Sequence, residues 1–178
     1  MLPDAVERVA RAFAGWDRAW GIAGGWALDA WRGVVSREHH DVDVAVLRDD
    51  QHALRVIGGD WQWIEGGVAH PWHGEPLALP IHELVAPGLE VLLNERDGDD
   101  WVYRRDARIR RPLARAFLET AWGIPVLAPE IVLLYKSKRP RAVDEADFAA
   151  SAGGLAADAR AWLAAALGRE HPWHAALA

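Results

Sequence analysis

The sequence predicts an α/β (α+β) fold: a small mixed sheet flanked by helices, with further helices gathered at the C-terminal end. Three observations carry this. Apolar residues alternate with polar ones along Asp41–Val46 and Leu89–Asn94, as in strands fastened to a core. A short strand, a glycine pair and a short helix follow one another from Gly21 to Trp31. From Ala128 onward the chain reads as successive helices with Leu, Ile and Ala stripes.

The elements follow in order. Pro3-Asp4-Ala5-Val6 places a proline and an acid in a first helical turn, and Val6, Val9, Ala10, Phe13 and Ala14 recur at helical spacing, so a helix is expected to about Ala19. A strand over Gly21–Ala23 runs into Gly24-Gly25 and a helix over Trp26–Trp31. The strand ending in Asp41–Val46 is followed by a turn at Arg48-Asp49-Asp50 and a helix over Gln51–Ile57, stopped by Gly58-Gly59. Asp60–Glu65 alternates as a strand, so the passage suggests a crossover connection. Val68–Pro80 lacks periodicity. Its His70-Pro71-Trp72-His73 reads either as a zinc pair, disfavoured without a helix or a cysteine nearby, or as a loop facing substrate. Leu89–Asn94 is a strong strand, Asp97-Gly98-Asp99-Asp100 a hairpin turn, and Trp101–Asp106 the return strand. Leu118–Trp122 adds a last strand. Ala128-Pro129-Glu130 opens a helix with Ile131, Leu134 and Tyr135 inward, and helices follow from Arg141 and over Leu155–Leu167. His171–His174 repeats the HPWH tetrapeptide without surrounding similarity and reads as a packed tail.

At 178 residues with half of them apolar, the chain can bury a real core. It has no cysteine, which excludes disulfides and thiolate metal sites. A net charge of −6 argues against nonspecific nucleic-acid binding and is compatible with a cationic substrate. The 11 tryptophans are expected mainly in packing, with some lining a pocket. No apolar run approaches the roughly 20 residues that span a membrane, and the N-terminal pattern is amphipathic and charged rather than a signal peptide, so a cytoplasmic protein with no membrane partner is expected.

The chemistry concentrates in Trp20–Leu47. In a strand, Asp41 and Asp43 share one face roughly 6–7 Å apart, while Val42, Val44 and Val46 point to the core. Two carboxylates held side by side repel each other, and one tends to protonate unless a cation sits between them. An oxygen-lined pair on a rigid strand suits Mg²⁺. Gly24-Gly25 supplies the other half: glycines let backbone approach a ligand closely, and free N–H groups at a helix start favour phosphate.

Gly24-Gly25-Trp26-Ala27-Leu28-Asp29, with Gly33, Arg37, His39, Asp41 and Asp43, resembles the signature of the polymerase-beta-type nucleotidyltransferase superfamily. Within it the chain is similar to the small nucleotidyltransferases acting on lincosamides and aminoglycosides, and to their uncharacterised bacterial relatives. The match is specific over the signature and looser elsewhere. The resemblance implies a nucleotidyltransferase domain over 1–125 with a C-terminal helical segment over 126–178 packed on it. It implies that Asp41 and Asp43 hold Mg²⁺, that Gly24 and Gly25 hold the triphosphate, and that a third carboxylate comes from a neighbouring strand. Glu90 is the candidate, as general base or further ligand, with Glu83 and Glu95 as substitutes. Arg37 would pair with an aspartate or a phosphate, and His39 would support the site. Lys136 stands where relatives place a phosphate-contacting lysine; the helix dipole alone also favours a lysine there. Asp144 reads as a helix cap. One arginine of the run Arg104–Arg111 could approach the triphosphate; otherwise the run is a solvated face.

The expected activity is Mg²⁺-dependent transfer of a nucleoside monophosphate, AMP from ATP or its equivalent from another nucleoside triphosphate, to a hydroxyl of a small molecule. An aminoglycoside or lincosamide is the acceptor class the resemblance implies, and a second copy of the chain, in a homodimer, could complete the acceptor pocket. The alternative is a non-catalytic nucleotidyltransferase-fold binding protein or toxin–antitoxin component; the retained carboxylate pair argues against it. A histidine-based phosphohydrolase would need a denser His/Asp set than the sequence holds.

Overall fold

The computed structural model describes residues 2–178. Helix α1 (Asp4–Ala12) follows Pro3, with Asp4 and Glu7 in its first turn, and buries Val6 and Val9. It ends earlier than its periodicity suggests. Phe13 is buried and stacks on Trp20 at 4.5 Å, so the chain turns at Gly15 to bring these rings together.

Strand β1 (Trp20–Ile22), helix α2 (Gly24–Arg32) and strand β2 (Asp43–Leu47) follow. The expected helix after β2 is a 3₁₀ segment over Arg48–Val56. Then come β3 (Gln62–Glu65), β4 (Val68–Pro71), β5 (Glu83–Ala86), β6 (Leu89–Asp97), β7 (Asp100–Val102), β8 (Arg110–Pro112), β9 (Phe117–Glu119) and β10 (Pro125–Leu127). The chain closes with α3 (Pro129–Lys136), α4 (Ala142–Ser151), α5 (Ala157–Leu167) and the short α6 (His174–Leu177).

The ten strands form one mixed sheet, with the path β4-β3-β5-β6-β2-β1-β10-β9 and a β7–β8 ribbon continuing from the end of β6. The parallel pairs are β2 with β6 and β1 with β10. The crossover from β2 is longer than expected. The chain first makes the β3–β4 hairpin at the sheet edge, returns through β5, and only then runs parallel to β2 in β6. Strand β10 straddles residues 125 and 126 and pairs between β1 and the edge strand β9, so the helical segment proper starts at Pro129.

Val44, Val46, Val91 and Leu93 are essentially inaccessible and form the centre of the core with Ile22 and Leu54. Gly21 is required at the β1–β10 contact, because a Cβ there would stand 2.7 Å from the Val126 carbonyl carbon. Helix α3 buries Ile131 to Leu134 on every side and leaves Tyr135 and Lys136 to a cavity. Its Glu130 is buried against Arg111 of β8 at 2.5 Å. The tail is packed, as its apolar content predicts: Trp173 stacks on Phe148 at 4.2 Å and donates its indole N–H to Glu145. No helix among the described residues is long and apolar enough to cross a membrane.

Candidate active site

The parallel register of β2 and β6 sets Asp43 opposite Glu90. Neighbouring strands lie about 4.8 Å apart, and directly paired residues in a parallel ladder project to the same face, so the two carboxylates are side by side. Asp41 precedes the strand by two residues and is exposed. On the other flank of β6, β5 sets Val85 opposite Glu90 and Glu83 opposite Leu92, which puts Glu83 on the same face. The acids feel one another. Burial first, then Asp43, Glu83 and Asp41, push the Glu90 carboxyl up to about 7. Burial first, then Asp41, push Asp43 up to about 6, with Lys136 opposing and Glu83 adding to the rise.

Helix α2 starts against this cluster. The Ala23 N–H donates to the Asp43 carbonyl at 2.8 Å, which locks the helix entrance to β2. Ala23 offers no side-chain cap and the first turn holds no acid, so the opening amides of α2 are left for another acceptor. The two glycines have separate tasks. Gly24 has φ +59°, lines the cavity, and a Cβ on it would collide with the Asp43 carboxylate. Gly25 faces away from the cavity; a Cβ there would strike the Arg37 guanidinium and stand 2.6 Å from the His39 ring.

Asp29 organises the loop that delivers Asp41. This buried carboxylate on α2 accepts from the Ser36 backbone N–H at 3.0 Å and its hydroxyl at 2.5 Å, and meets His39 Nε2 at 2.7 Å. The His39 ring lies on Trp26, with centroids 4.3 Å apart. Arg37 is turned toward the C-terminal helices, where it pairs with Asp147 of α4 at 3.3 Å. Asp147 also holds Lys136 at 2.9 Å, and Lys136 reaches Asp144 at 2.7 Å. Burial acts against ionisation of Asp144, but hydrogen bonds from Arg141 and Lys136 outweigh it and hold the carboxyl well below the usual carboxylate range. Asp144 thus serves partly as the helix cap, accepting from the Arg141 N–H at 3.0 Å, and partly as a clamp on Lys136.

These groups border a cavity of about 620 Å³. Of the sequence-derived site residues, Gly24, Asp43, Glu90 and Lys136 line it, while Asp41, Gly25 and Arg37 stand outside its lining. Glu83, named only as a substitute, lines it as well; Glu95 is taken up by Arg48, which binds it through three contacts of 2.6–2.9 Å. Arg104, Arg105 and Tyr135 form the far wall. Asp29 and Asp147 carried no sequence signal of their role beyond Asp29's place in the signature. The first histidine of each HPWH segment is engaged in packing: His70 stacks on Trp63 at 4.2 Å, and His171 meets the Ser137 carbonyl at 3.0 Å. Among the described residues no three His, Cys, Asp or Glu side chains stand in ready metal geometry. The donor set nonetheless suits a hard divalent cation: oxygen ligands only, crowded enough to raise one another's proton affinity.

The sequence profile of the aminoglycoside-2''-adenylyltransferase family matches residues 5–150. No curated protein matches the chain in sequence. The fold is similar to the solution structure of the antibiotic-resistance factor ANT(2'')-Ia, with a TM-score of 0.60 at 17% identity over 90% of this chain and 88% of that one. It is also similar to the crystal structure of ANT(2'')-Ia in complex with adenylyl-2''-tobramycin, with a TM-score of 0.58 at 16% identity over 90% and 94% of the two chains. The lincosamide antibiotic adenylyltransferase LnuA with lincomycin bound gives 0.55 at 18% identity, over 84% and 95%. The nucleotidyltransferase fold expected from the signature is therefore borne out, and with the profile covering most of its length the chain belongs to the aminoglycoside-2''-adenylyltransferase family.

Proposed function

We propose that the chain transfers AMP from ATP to a hydroxyl of a small molecule, with pyrophosphate leaving. The observation that carries this reading is the β2–β6 register, which sets Asp43 beside Glu90 at the open amide end of α2. The opening amides of α2 bind triphosphate oxygens, with Gly24 giving the backbone its close approach. Lys136, steadied by Asp144 and Asp147, presents its ammonium to the phosphates from α3. Asp41 and Asp43 would hold Mg²⁺, which supplies neutralisation of the triphosphate charge. Glu90 faces the acceptor and takes its proton as the new oxygen–phosphorus bond forms and the α,β-anhydride breaks. Arg37 and His39 act behind the site, fixing the loop that bears Asp41 rather than touching nucleotide.

The family name, and the tobramycin and lincomycin in the names of similar structures, support an antibiotic hydroxyl as the acceptor class. In the same reading the enzyme works in the cytoplasm, and a second copy of the chain completes the acceptor side; an active monomer in sedimentation would remove that last part. The test is isothermal titration of ATP with and without Mg²⁺ into wild type and Asp41→Asn/Asp43→Asn, followed by pyrophosphate release with hydroxylated acceptors. Binding that needs both the metal and the aspartates is expected. Nucleotide binding indifferent to both would overturn the assignment.

A further inference from the structure

One titratable ring in the cavity wall has no task in the transfer chemistry. His82 lines the cavity in company with Glu83, Arg104 and Arg105. It stands one residue ahead of β5, where the strand's alternation has not yet begun. Its carbonyl accepts from the Leu93 N–H at 2.8 Å, which sets it three residues beyond Glu90 along β6. At the rise of a strand that is about 10 Å from the level of Glu90. Strand β5 also lies on the flank of β6 away from β2, so Glu90 stands between His82 and Asp43.

Geometry fixes where the ring carries its hydrogen. His82 is half-buried, and its Nδ1 lies 2.8 Å from the Pro80 carbonyl oxygen. A carbonyl only accepts, so Nδ1 is the donor. In the neutral ring Nε2 is then bare, a lone pair without a hydrogen. The surroundings keep the ring neutral. Burial first, with Arg104 and Arg105 adding to it, draws its proton affinity below the ordinary imidazole value, against the opposing pull of the Pro80 carbonyl and Glu83. Nε2 lies across the ring from the Pro80 bond and meets no donor among the described residues. Beside it Glu83, when ionised, also only accepts. The two neighbours thus offer lone pairs and no hydrogens, and a half-buried acceptor is satisfied only when a donor is supplied. Nucleotide phosphates bring no such donor; amino and hydroxyl groups do.

We propose that His82 is an acceptor-binding residue, its bare Nε2 taking a hydrogen bond from an amino or hydroxyl group of the molecule that is adenylylated beside Glu90. The inference rests on the transfer reading above and deepens it: the acceptor reaches from Glu90 to His82, which takes more than one sugar ring.

The experiment is isothermal titration of tobramycin and, separately, of lincomycin into the full chain held with Mg²⁺ and α,β-methylene-ATP, whose bridging carbon blocks transfer. Two variants separate the ring nitrogens. His82→Asn puts an amide as far out as Nδ1, where it can still donate to Pro80, and leaves nothing at Nε2. His82→Gln carries an amide oxygen to the reach of Nε2 and gives up the Pro80 bond. For a probe that binds wild type, His82→Asn should weaken binding about tenfold, the loss of one hydrogen bond, and His82→Gln by less than about threefold. The nucleotide Kd should stay within about twofold in both. A ring that merely shapes the Pro80 turn gives the reverse order, and that order, or equal effects, overturns the inference. So does a nucleotide Kd weakened about tenfold in His82→Asn, which would give the ring to the nucleotide. Nitrogen NMR of the imidazoles, with His82 assigned by the resonances missing from His82→Gln, checks the wild-type ring directly: Nε2 is expected bare at neutral pH and shifted upfield when the probe binds. A hydrogen on Nε2 in the free protein, or a resonance that the bound probe leaves unmoved, overturns the inference. If neither probe binds wild type while the analogue does, the inference falls and the transfer reading stands; if the analogue does not bind either, both fall.

Discussion

Replacing Gly24 by alanine tests how closely the start of α2 is fitted to the carboxylate behind it. Two costs can be separated with controls from the same helix. Gly33, at its C-terminal end, has φ +74° and open space where a methyl group would stand, so Gly33→Ala carries backbone strain alone. An alanine in the left-handed region costs about 1–2 kcal/mol, which for a chain of this length lowers the melting temperature by about 2–8 °C. Gly25 has an ordinary φ but would strike Arg37 and His39, so Gly25→Ala carries collision alone, about 1–3 kcal/mol. Gly24→Ala combines positive φ with a collision against Asp43, about 2–5 kcal/mol in sum. Its functional cost is larger, because the group displaced is the carboxylate assigned to the metal, and a misplacement of about 1 Å costs on the order of a hundredfold in rate. The assay is a thermal melt of the three variants alongside pyrophosphate release. A Gly24→Ala protein that melts no lower than Gly33→Ala and keeps wild-type turnover would refute the fitted arrangement.

Other expectations follow from the same geometry. Glu90 and Asp43 hold protons more tightly folded than unfolded, so their contribution to stability is complete below about pH 4 and is lost as pH rises to about 7. The metal-free protein should therefore melt lower at pH 8 than at pH 5 by a margin that Glu90→Gln reduces and added Mg²⁺ offsets; a margin unchanged in the variant would count against the crowding. Arg111→Met leaves Glu130 buried without its partner and should cost about 3–5 kcal/mol in a denaturant melt, much of it recovered in Arg111→Met/Glu130→Met. Trp173→Ala removes the stack on Phe148 and should cost about 3–5 kcal/mol, measured the same way. Asp147→Asn loosens Arg37 and Lys136 together and should raise the KM for ATP several-fold with a smaller change in kcat; an unchanged KM would remove Asp147 from the positioning of either.

The residues legible in the sequence are those whose role is written in local periodicity. Asp43 and Glu90 each sit in a strand where valines and leucines alternate against them, so their face can be read without knowing that β2 and β6 are neighbours. The 3₁₀ segment over Arg48–Val56 reads as an α-helix because its Leu54 is inward at a spacing that either form allows. Strand β5 gives no such signal, because Glu83–Ala86 is four residues long and takes its character from pairing with β3 and β6. The task of Asp147 cannot be read at all: its partners are Arg37, at a separation of 110 residues, and Lys136, and only the packed helices bring them together. Net charge misleads about the cavity. The −6 belongs to the whole surface, and the wall at Arg104 and Arg105 has the opposite sign.

The grip of Asp147 on Arg37 has a consequence for how the protein is made. The signature loop and both strand aspartates leave the ribosome early, but the carboxylate that steadies Arg37 is encoded 110 residues later. At a synthesis rate of roughly 5–20 residues per second, that interval lasts about 5–20 s. Throughout it Arg37 lacks the Asp147 carboxylate that holds it, together with Lys136, in the folded chain. A chain stopped short of α4 keeps both strand aspartates but lacks the two carboxylates that hold Arg37 and Lys136 beside them.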